Sequence, residues 1–492
     1  MTSLPSAPAA AQARHRLEVL LDGAVVLEHA DGVVVARGLV GDTDVLAFAT
    51  DATVQGGALG AESCRAIAAV TDRAVLEGVP IVGIWHSGGA RLREGAGGLD
   101  AVGRVFSAQV RASGRVPQIS VVLGPAAGGA AYGPALTDVI VLGPQGRVLV
   151  TGPDVVRKVT GQDVDADRLG GPVTHGRSGV VHVVASSDTD ALHRARLLVD
   201  LLGRQGEVDL RRTAGPDPEP LVPGEHRLSY DMTPVVESVL DPATFLEQQP
   251  GWAPNVVTGL GRLAGRTVGV VANNPVRLAG CLDAASGDKS GRFVQWCDAH
   301  GVPLVFLVDV PGYLPGVEQE DEAVVRRGAK LLHAYAAAVV PRITVVLRKS
   351  FGGAFIAMGS RGLGADAVLA WPGAAVDVMG AVAASGPPRP IRSDARSWCC
   401  GCRPPTRRRP AVSVRRCAAA RSTRSSSPAT PDAGSWSCSP RCRAATPARQ
   451  CVACTATRRC EPDRPHSASG ADAGGCAPGV RSRGRGGVHG PG

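Results

Sequence analysis

The sequence predicts an α/β protein built from two copies of one fold, and an internal repeat is the main reason. Residues 116–130 (VPQISVVLGPAAGGA) return as residues 340–354 (VPRITVVLRKSFGGA), an offset of 224 positions. Each copy has an apolar, β-branched run of strand length, followed by Gly-Gly-Ala and a stretch of small residues that can form a helix. Copies this far apart indicate two lobes, each the size of a domain.

Composition agrees with a large two-lobe body. A chain of 492 residues can form two large domains, and with 44% apolar but only 3% aromatic residues its core must consist mainly of Val, Leu, Ile and Ala. No apolar run is long enough to cross a bilayer, and residues 1–13 lack a charged segment followed by an apolar block. We therefore expect a cytoplasmic protein that has no membrane partner.

The first lobe follows a strand, turn and helix order. After a disordered start at residues 1–15, short apolar runs at residues 16–59 alternate with Gly and Asp and predict a β-meander. Residues 62–78 have helical periodicity, residues 79–85 predict a buried strand, and the glycine-rich turn at 87–91 leads into the next helix. The same order recurs through residues 116–159, which is typical of stacked αβ units.

The second lobe repeats this order after a linker. Residues 203–224 are polar and proline-rich, which predicts the connection between the lobes. Beyond it we expect helix 288–300, strand 302–308, loop 311–316, helix 320–338 and strand 343–347, followed by the second Gly-Gly-Ala turn. The predicted boundaries are a disordered segment at 1–15, lobes at 16–228 and 229–384, and a tail at 385–492.

The tail differs in character from the rest of the chain. It has 20 arginines, no lysine and five acidic residues, a balance of +15, whereas the preceding residues carry −6. It holds ten of the 13 cysteines and lacks leucine, phenylalanine and tyrosine, so we expect it to be disordered. Arg, Pro, Ala and Gly have GC-rich codons, and our hypothesis is a frameshift just after Ala384, which translation of the other two reading frames tests.

Two features of the tail have alternative interpretations. Cys451 and Cys454 have the spacing of zinc ligands, but ten cysteines in a segment of this length form such pairs by chance, and we expect no metal. The arginine clusters at 407–409 and 481–485 leave a nonspecific nucleic-acid binder as one alternative function. They have no interleaved aromatic residues, and we expect no nucleic acid as a partner.

The repeated turns predict the chemistry. In each copy a strand ends at a helix N-terminus whose backbone N–H groups are not crowded by side chains and can face an anion. Two such pairs of donors indicate two oxyanion sites that serve one reaction. The chain has no catalytic-triad motif and no convincing general base.

Six motifs in order carry a resemblance to a known family. They are SGGAR at 87–91, GPAAGGAAY at 124–132, TGPDVV at 151–156, DVPGYLPG at 309–316, FGGAF at 351–355 and AWPG at 370–373. With these motifs, residues from about 16 to 384 resemble the carboxyltransferase (β) subunit of biotin-dependent acyl-CoA carboxylases, the acetyl-CoA and propionyl-CoA carboxylase family.

The resemblance implies two crotonase-like lobes, the first holding acyl-CoA and the second carboxybiotin, with the active site where the first lobe of one subunit meets the second lobe of another. It assigns the acyl-CoA oxyanion donors to Gly128 and Gly129, and the biotin donors to Gly353 and Ala354. The implied CoA-binding residues are Ser87, Gly88, Gly89, Ala90 and Arg91. Arg91 would either pair with phosphate or orient the turn, and Ile356 occupies the position that tunes acyl-chain fit.

The resemblance also implies the partners. Carboxybiotin would come from the carrier domain of a biotin carboxylase/biotin carrier α subunit, no cofactor would be bound covalently, and the chain would form a homo-hexamer. The family continues for roughly another hundred residues in frame where this chain changes after Ala384, so the second lobe would be incomplete. A biotin-dependent acyl-CoA decarboxylase subunit and a truncated, inactive or partner-sequestering acyl-CoA-binding subunit therefore stay open as alternatives.

Overall fold

The computed structural model describes residues 10–212 and 216–379. The helices over these ranges are α1 Ala10–Leu20, α2 Ala61–Glu77, α3 Gly95–Ala112, α4 Gly129–Ala135, α5 Pro153–Thr160, α6 Ala166–Gly170, α7 Pro172–Ser178, α8 Asp188–Gly203, α9 Thr233–Val239, α10 Ala284–Ala299, α11 Val317–Asp321, α12 Val324–Ala337 and α13 Gly352–Ala357. The strands are β1 Asp22–Ala30, β2 Val33–Val40, β3 Thr43–Thr50, β4 Ile81–Ser87, β5 Gln118–Ala127, β6 Val139–Leu142, β7 Arg147–Leu149, β8 Val183–Val184, β9 Leu246–Gln248, β10 Val256–Leu263, β11 Arg266–Asn273, β12 Leu304–Val310, β13 Arg342–Phe351, β14 Ala367–Ala370 and β15 Ala375–Asp377.

The strands form two sheets of the same plan. Within the described residues, the first sheet has the order β1-β2-β3-β4-β5-β6-β8, with β7 paired to β5, and the second has the order β14-β13-β12-β11-β10-β9, with β15 paired to β13. Each begins with antiparallel strands and continues with parallel ones. This confirms the predicted fold class of two α/β lobes.

The central parallel strands are buried on both faces, as expected when helices cover a parallel sheet. Every residue of β12 is buried, and in β4 only His86 is not. In the first lobe, Trp85 packs edge-on against Phe48, with ring centroids 5.1 Å apart. These strands therefore form a rigid base for the loops at their carboxyl ends.

The helix α1 is a correction to the disorder predicted for residues 10–15 and to the β-meander predicted from residue 16, whereas residues 1–9 lie outside the described ranges. Its apolar side buries Ala13, Leu17 and Leu20 in the core, and Arg16 forms an ion pair with Asp188 at 3.2 Å. Tertiary packing therefore orders this helix. The meander itself begins at Asp22 and runs through β1, β2 and β3.

Helix 320–338 is also corrected, because the structure divides it into α11 and α12. Ala323 lies between them in the left-handed conformation, with φ of 59°. The other predicted elements of the two repeats appear as α2, β4, α10, β12 and β13, with their ends shifted by up to four residues.

The connection between the lobes is bonded to the second lobe at both ends. The N–H of Thr267 donates to the carbonyl of Gln205 at 2.7 Å, and the N–H of Asp209 donates to Ala264 at 2.7 Å. Farther along, Arg348 donates to the carbonyls of Pro223 and Glu225. The segment predicted as a linker is therefore attached to the second lobe.

His182 joins the two lobes at a fully buried position. Its Nδ1 accepts from the N–H of Ile140 at 3.0 Å, and its carbonyl accepts from the N–H of Gln249 at 2.7 Å. Burial lowers the pKa of this imidazole to about 3, so it is neutral in the folded protein. Nearby, the buried Nζ of Lys289 lies within 3.0 Å of the carbonyl oxygens of Gln249, Trp252 and Val256, to which it donates, and 3.4 Å from that of Ala253.

Over the ranges that the structure describes, no helix combines the length and the apolar character that a membrane crossing requires. The tail, its predicted disorder and the frameshift hypothesis lie outside the described residues.

Candidate functional site

Both lobes carry the same irregularity where their central strands end. In the first sheet, Trp85 pairs with Val122 and Ser87 pairs with Ala126, so that two steps along β4 match four along β5. In the second sheet, Val308 pairs with Val346 and Val310 with Ser350, which is the same mismatch between β12 and β13. Bulges of this kind bend a strand and redirect the residues that follow it.

A glycine in the left-handed region follows each bulge. Gly128 has φ of 57° and Gly352 has φ of 59°, and the two are related by the repeat offset of 224. An L-residue with a side chain is strained in this conformation, so glycine is required there. Each glycine turns the strand into a short helix, α4 or α13, and thereby presents the first N–H groups of that helix at the carboxyl edge of the sheet.

The predicted first donor pair, Gly128 and Gly129, includes one N–H group that already has a partner within the chain. The N–H of Gly128 donates to the carbonyl of Leu149 at 2.9 Å and is therefore occupied. Among the described residues, no acceptor is bonded to the N–H groups of Gly129 and Ala130. These two residues are the repeat equivalents of Gly353 and Ala354, the predicted second pair.

The predicted CoA-binding turn at residues 87–91 contacts the loop at residues 127–130. Ser87 is fully buried, and its Oγ accepts from the N–H of Gly89 at 3.2 Å. Gly89 has φ of 104°, and a Cβ atom there would lie 2.8 Å from the carbonyl oxygen of Ala127. The structure thus brings residues 87–91 and residues 127–130 together at the carboxyl ends of β4 and β5, with Gly88 and Ala90 held by backbone pairing to Gly56 and Leu59.

Arg91 is directed toward the turn between β1 and β2. Its guanidinium forms an ion pair with Asp31, donates from Nη2 to the carbonyl of Asp31 at 3.1 Å and donates from Nε to Ala58 at 3.0 Å. Its side chain is only 9% exposed. Of the two predicted roles, these contacts match the one that orients the turn.

The second donor pair lies beside Tyr313. A Cβ atom at Gly353 would lie 3.8 Å from the Tyr313 ring, and the Tyr313 hydroxyl is buried without a partner among the described residues. Burial raises the pKa of this phenol to about 12, so it keeps its proton at neutral pH. Tyr313 belongs to the motif at 309–316, but its proximity to residue 353 depends on the tertiary structure and is not predictable from the sequence.

Ile356 lies on α13, three residues after Gly353, and is 46% exposed. An apolar side chain with this exposure next to the second donor pair can contact a substrate or another subunit. The second donor pair and Ile356 lie on the second sheet, whereas residues 87–91 and the first donor pair lie on the first.

The arrangement suits the binding of anionic oxygen atoms by backbone donors. In the described part of the chain, no group of three or more His, Cys, Asp or Glu side chains could hold a metal ion. Fixed N–H groups such as those of the two turns can stabilise a developing negative charge electrostatically.

The chain matches a known protein family over most of its length. The family profile described as "Carboxyl transferase domain" matches residues 10–386. The biotin-dependent acetyl-/propionyl-coenzyme A carboxylase β6 subunit of Mycobacterium tuberculosis is 58% identical over 372 residues, which cover 74% of this chain and 79% of that protein. The propionyl-CoA carboxylase beta chain of Rhodococcus erythropolis is 57% identical over 382 residues, 75% of this chain and 80% of that one.

A solved structure has the same fold. It is the crystal structure of transcarboxylase 12S, described as a hexamer with methylmalonyl-coenzyme A and methylmalonic acid bound. It aligns with a TM-score of 0.71 at 42% sequence identity, over 76% of this chain and 78% of that one.

Proposed function

Because this chain belongs to the family of carboxyltransferase β subunits of biotin-dependent acyl-CoA carboxylases, we propose that it transfers a carboxyl group from carboxybiotin to the α-carbon of a short-chain acyl-CoA. The observation that carries the proposal is the duplication of one donor turn in two sheets. Among the described residues, no acceptor is bonded to the N–H groups of Gly129 and Ala130 or to those of Gly353 and Ala354, and two such pairs match a reaction in which negative charge develops on two different oxygen atoms.

The proposed transfer exchanges a carboxyl group and a proton between the two substrates. The α-carbon of the acyl thioester loses a proton, and charge develops on the thioester oxygen. The bond between the biotin nitrogen and the carboxyl carbon breaks, a new bond forms between that carbon and the α-carbon, and the biotin nitrogen takes the proton. A protein base is not needed in this scheme.

The two donor pairs would stabilise the two developing charges. Gly129 and Ala130 would face the thioester oxygen, and Gly353 and Ala354 would face the ureido oxygen of biotin. A fixed donor at a developing oxyanion typically lowers the activation barrier by about 3–4 kcal/mol. Backbone donors need only small side chains around them, which explains why both sites consist of glycine and alanine.

We propose that the first lobe holds the acyl-CoA, with residues 87–91 beside the thioester, and that the second lobe holds the biotin. Acetyl-CoA and propionyl-CoA are the substrates in the names of the relatives, and Ile356 is the residue proposed to contact the acyl chain. The proposed partner is a biotin carboxylase/biotin carrier α subunit in the cytoplasm. The proposed assembly is a homo-hexamer, supported by the hexameric assembly described for transcarboxylase 12S.

The test uses the reverse reaction, because free biotin can replace the carrier domain. The full chain is incubated with methylmalonyl-CoA or malonyl-CoA, with and without biotin, and the decarboxylated CoA product is measured. We expect product formation that depends on biotin. Binding of the CoA ester without biotin-dependent turnover would contradict the proposal and support the alternative of a non-catalytic acyl-CoA-binding subunit.

A further inference from the structure

The two bulges have the same backbone but different side chains. In the first lobe, the ring of His86 lies over Gly124, where a Cβ atom would be only 2.4 Å from the imidazole. By the strand pairings of the two sheets, Asp309 in the second lobe is equivalent to His86 in the first, and Arg348 is equivalent to Gly124. At these equivalent positions the second lobe thus has two side chains of opposite charge, whereas the first lobe has an imidazole ring packed against a glycine.

This pair is fully buried. Asp309 is 0% and Arg348 is 3% exposed, and the Nε of Arg348 donates to Oδ2 of Asp309 at 2.8 Å. The other carboxylate oxygen accepts from the N–H of Lys349 at 3.3 Å. Moving two charges out of water is costly, and a packed apolar pair is often at least as stable, so the pair is a candidate for a role beyond stability.

Arg348 also ties the strand to the segment that connects the lobes. Its Nη1 donates to the carbonyls of Pro223 at 3.2 Å and Glu225 at 2.9 Å, and the guanidinium carbon lies 4.6 Å from the centre of the Tyr230 ring. The neighbouring Lys349 donates from Nζ to the carbonyl of His226 at 3.2 Å. The bulge of β13 is therefore held from one side by β12 and from the other by residues 223–226.

We propose that Asp309 and Arg348 are positioning residues for the biotin half of the reaction, an inference that rests on the proposed function. They fix the bulge of β13, and the donors Gly353 and Ala354 follow Arg348 by only five and six residues. A donor stabilises a developing charge only when its direction is held before the reaction. Loosening the pair should therefore impair steps that involve biotin and leave the binding of the CoA ester in the first lobe intact.

The test compares two arginines of the same strand. Arg348→Lys keeps a positive charge but cannot bond the carboxylate and both carbonyls together. Arg342→Lys is the matched control, since Arg342 is also buried, lies on β13, stacks over a tyrosine ring at 5.2 Å and bonds the carbonyl of Tyr335. Both variants are assayed as full chains for biotin-dependent decarboxylation of methylmalonyl-CoA, and their Kd for methylmalonyl-CoA is measured by calorimetry.

We expect Arg348→Lys to lower kcat/KM for biotin on the order of 10- to 100-fold, since a small misplacement of reacting groups has effects of this size. Its Kd for methylmalonyl-CoA should match that of the parent, and Arg342→Lys should keep the parent kcat/KM. Asp309→Asn, which preserves the shape of the carboxylate, should also lower kcat/KM for biotin. It is the variant to measure if Arg348→Lys does not fold.

Three results would overturn the inference. The first is an unchanged kcat/KM for biotin in folded Arg348→Lys and Asp309→Asn. The second is an equal loss in Arg342→Lys, or a parallel loss of methylmalonyl-CoA binding, because either would indicate a general structural role. The third is a parent chain without biotin-dependent turnover, which overturns the proposed function and the inference together, whereas the first two leave the proposed function standing.

Discussion

Gly353 offers a direct test of the second donor pair, because the fold has room for a side chain there. Gly353 lies outside the positive-φ region, and its nearest neighbours are ring atoms of Tyr313 at 3.8 Å from a Cβ position. Gly353→Val should therefore fold, while the branched side chain covers the space in front of the donors. We expect biotin-dependent turnover to fall on the order of 100-fold or more, comparable with the loss of an oxyanion donor, with methylmalonyl-CoA binding unchanged.

The control for this substitution is Gly373→Val, at a position where no atom lies within 4 Å of a Cβ. This variant should retain the turnover of the parent. Full turnover in Gly353→Val would contradict the assignment of residue 353 to the biotin site.

Single residues show where sequence reasoning ends. Small residues at both turns were predicted from the repeat, because the requirement for glycine is local and visible in the letters. The acceptor for Gly128 is Leu149, and the partner of Arg91 is Asp31, 60 positions away. Such partners are brought together by the tertiary structure, so the bond that occupies the N–H of Gly128 and the orientation of Arg91 could not be predicted from spacing.

At the level of elements, the turn at Gln55–Gly57 supports the end of β4. Gly56 and Gly57 both have positive φ, 65° and 72°, but only at Gly57 would a Cβ atom meet the backbone, 2.0 Å from the carbonyl oxygen of His86. Gly56→Ala should cost about 1–2 kcal/mol of unfolding free energy from its φ alone. Gly57→Ala should cost about 1–3 kcal/mol more, because β4 must move.

Urea unfolding of the two variants measures this difference. Since His86 precedes Ser87, Gly57→Ala should also weaken acyl-CoA binding, and Gly56→Ala should not. Equal stability of the two variants would show that this contact does not constrain β4.

The order of the elements was predictable because hydrophobic periodicity is a local signal. Strand β12 and helix α10 were found within a few residues of their ends on that basis. The helix α1 is not predictable in this way, because contacts with distant residues, such as that of Arg16 with Asp188, stabilise it, and local propensity does not contain that information.

For the whole molecule, the buried His182 predicts a loss of stability in mild acid. Its pKa is about 6.5 when unfolded and about 3 when folded, because burial disfavours the charged form. Below about pH 6.5 the unfolded chain takes up a proton that the folded chain does not, so stability falls as the pH falls toward 3. Between pH 7 and pH 5.5 this group should remove about 1 kcal/mol of unfolding free energy.

His182→Asn keeps an acceptor for the N–H of Ile140 and removes the titrating group. The variant should lose less stability than the parent between these two pH values, by about 1 kcal/mol. Parallel pH profiles of His182→Asn and the parent would contradict the prediction.

The bonds of the connecting segment determine where the chain could be divided. Gln205 and Asp209 pair with the β10–β11 hairpin, and Pro223 and Glu225 accept from Arg348, so both ends of the segment belong to the second lobe. If the two lobes were produced as separate polypeptides, the division that keeps these bonds within one piece would come directly after α8, near Arg204. The first polypeptide would then end with a helix, and the second would begin with the connecting segment that is hydrogen-bonded to Arg348 of its own β13.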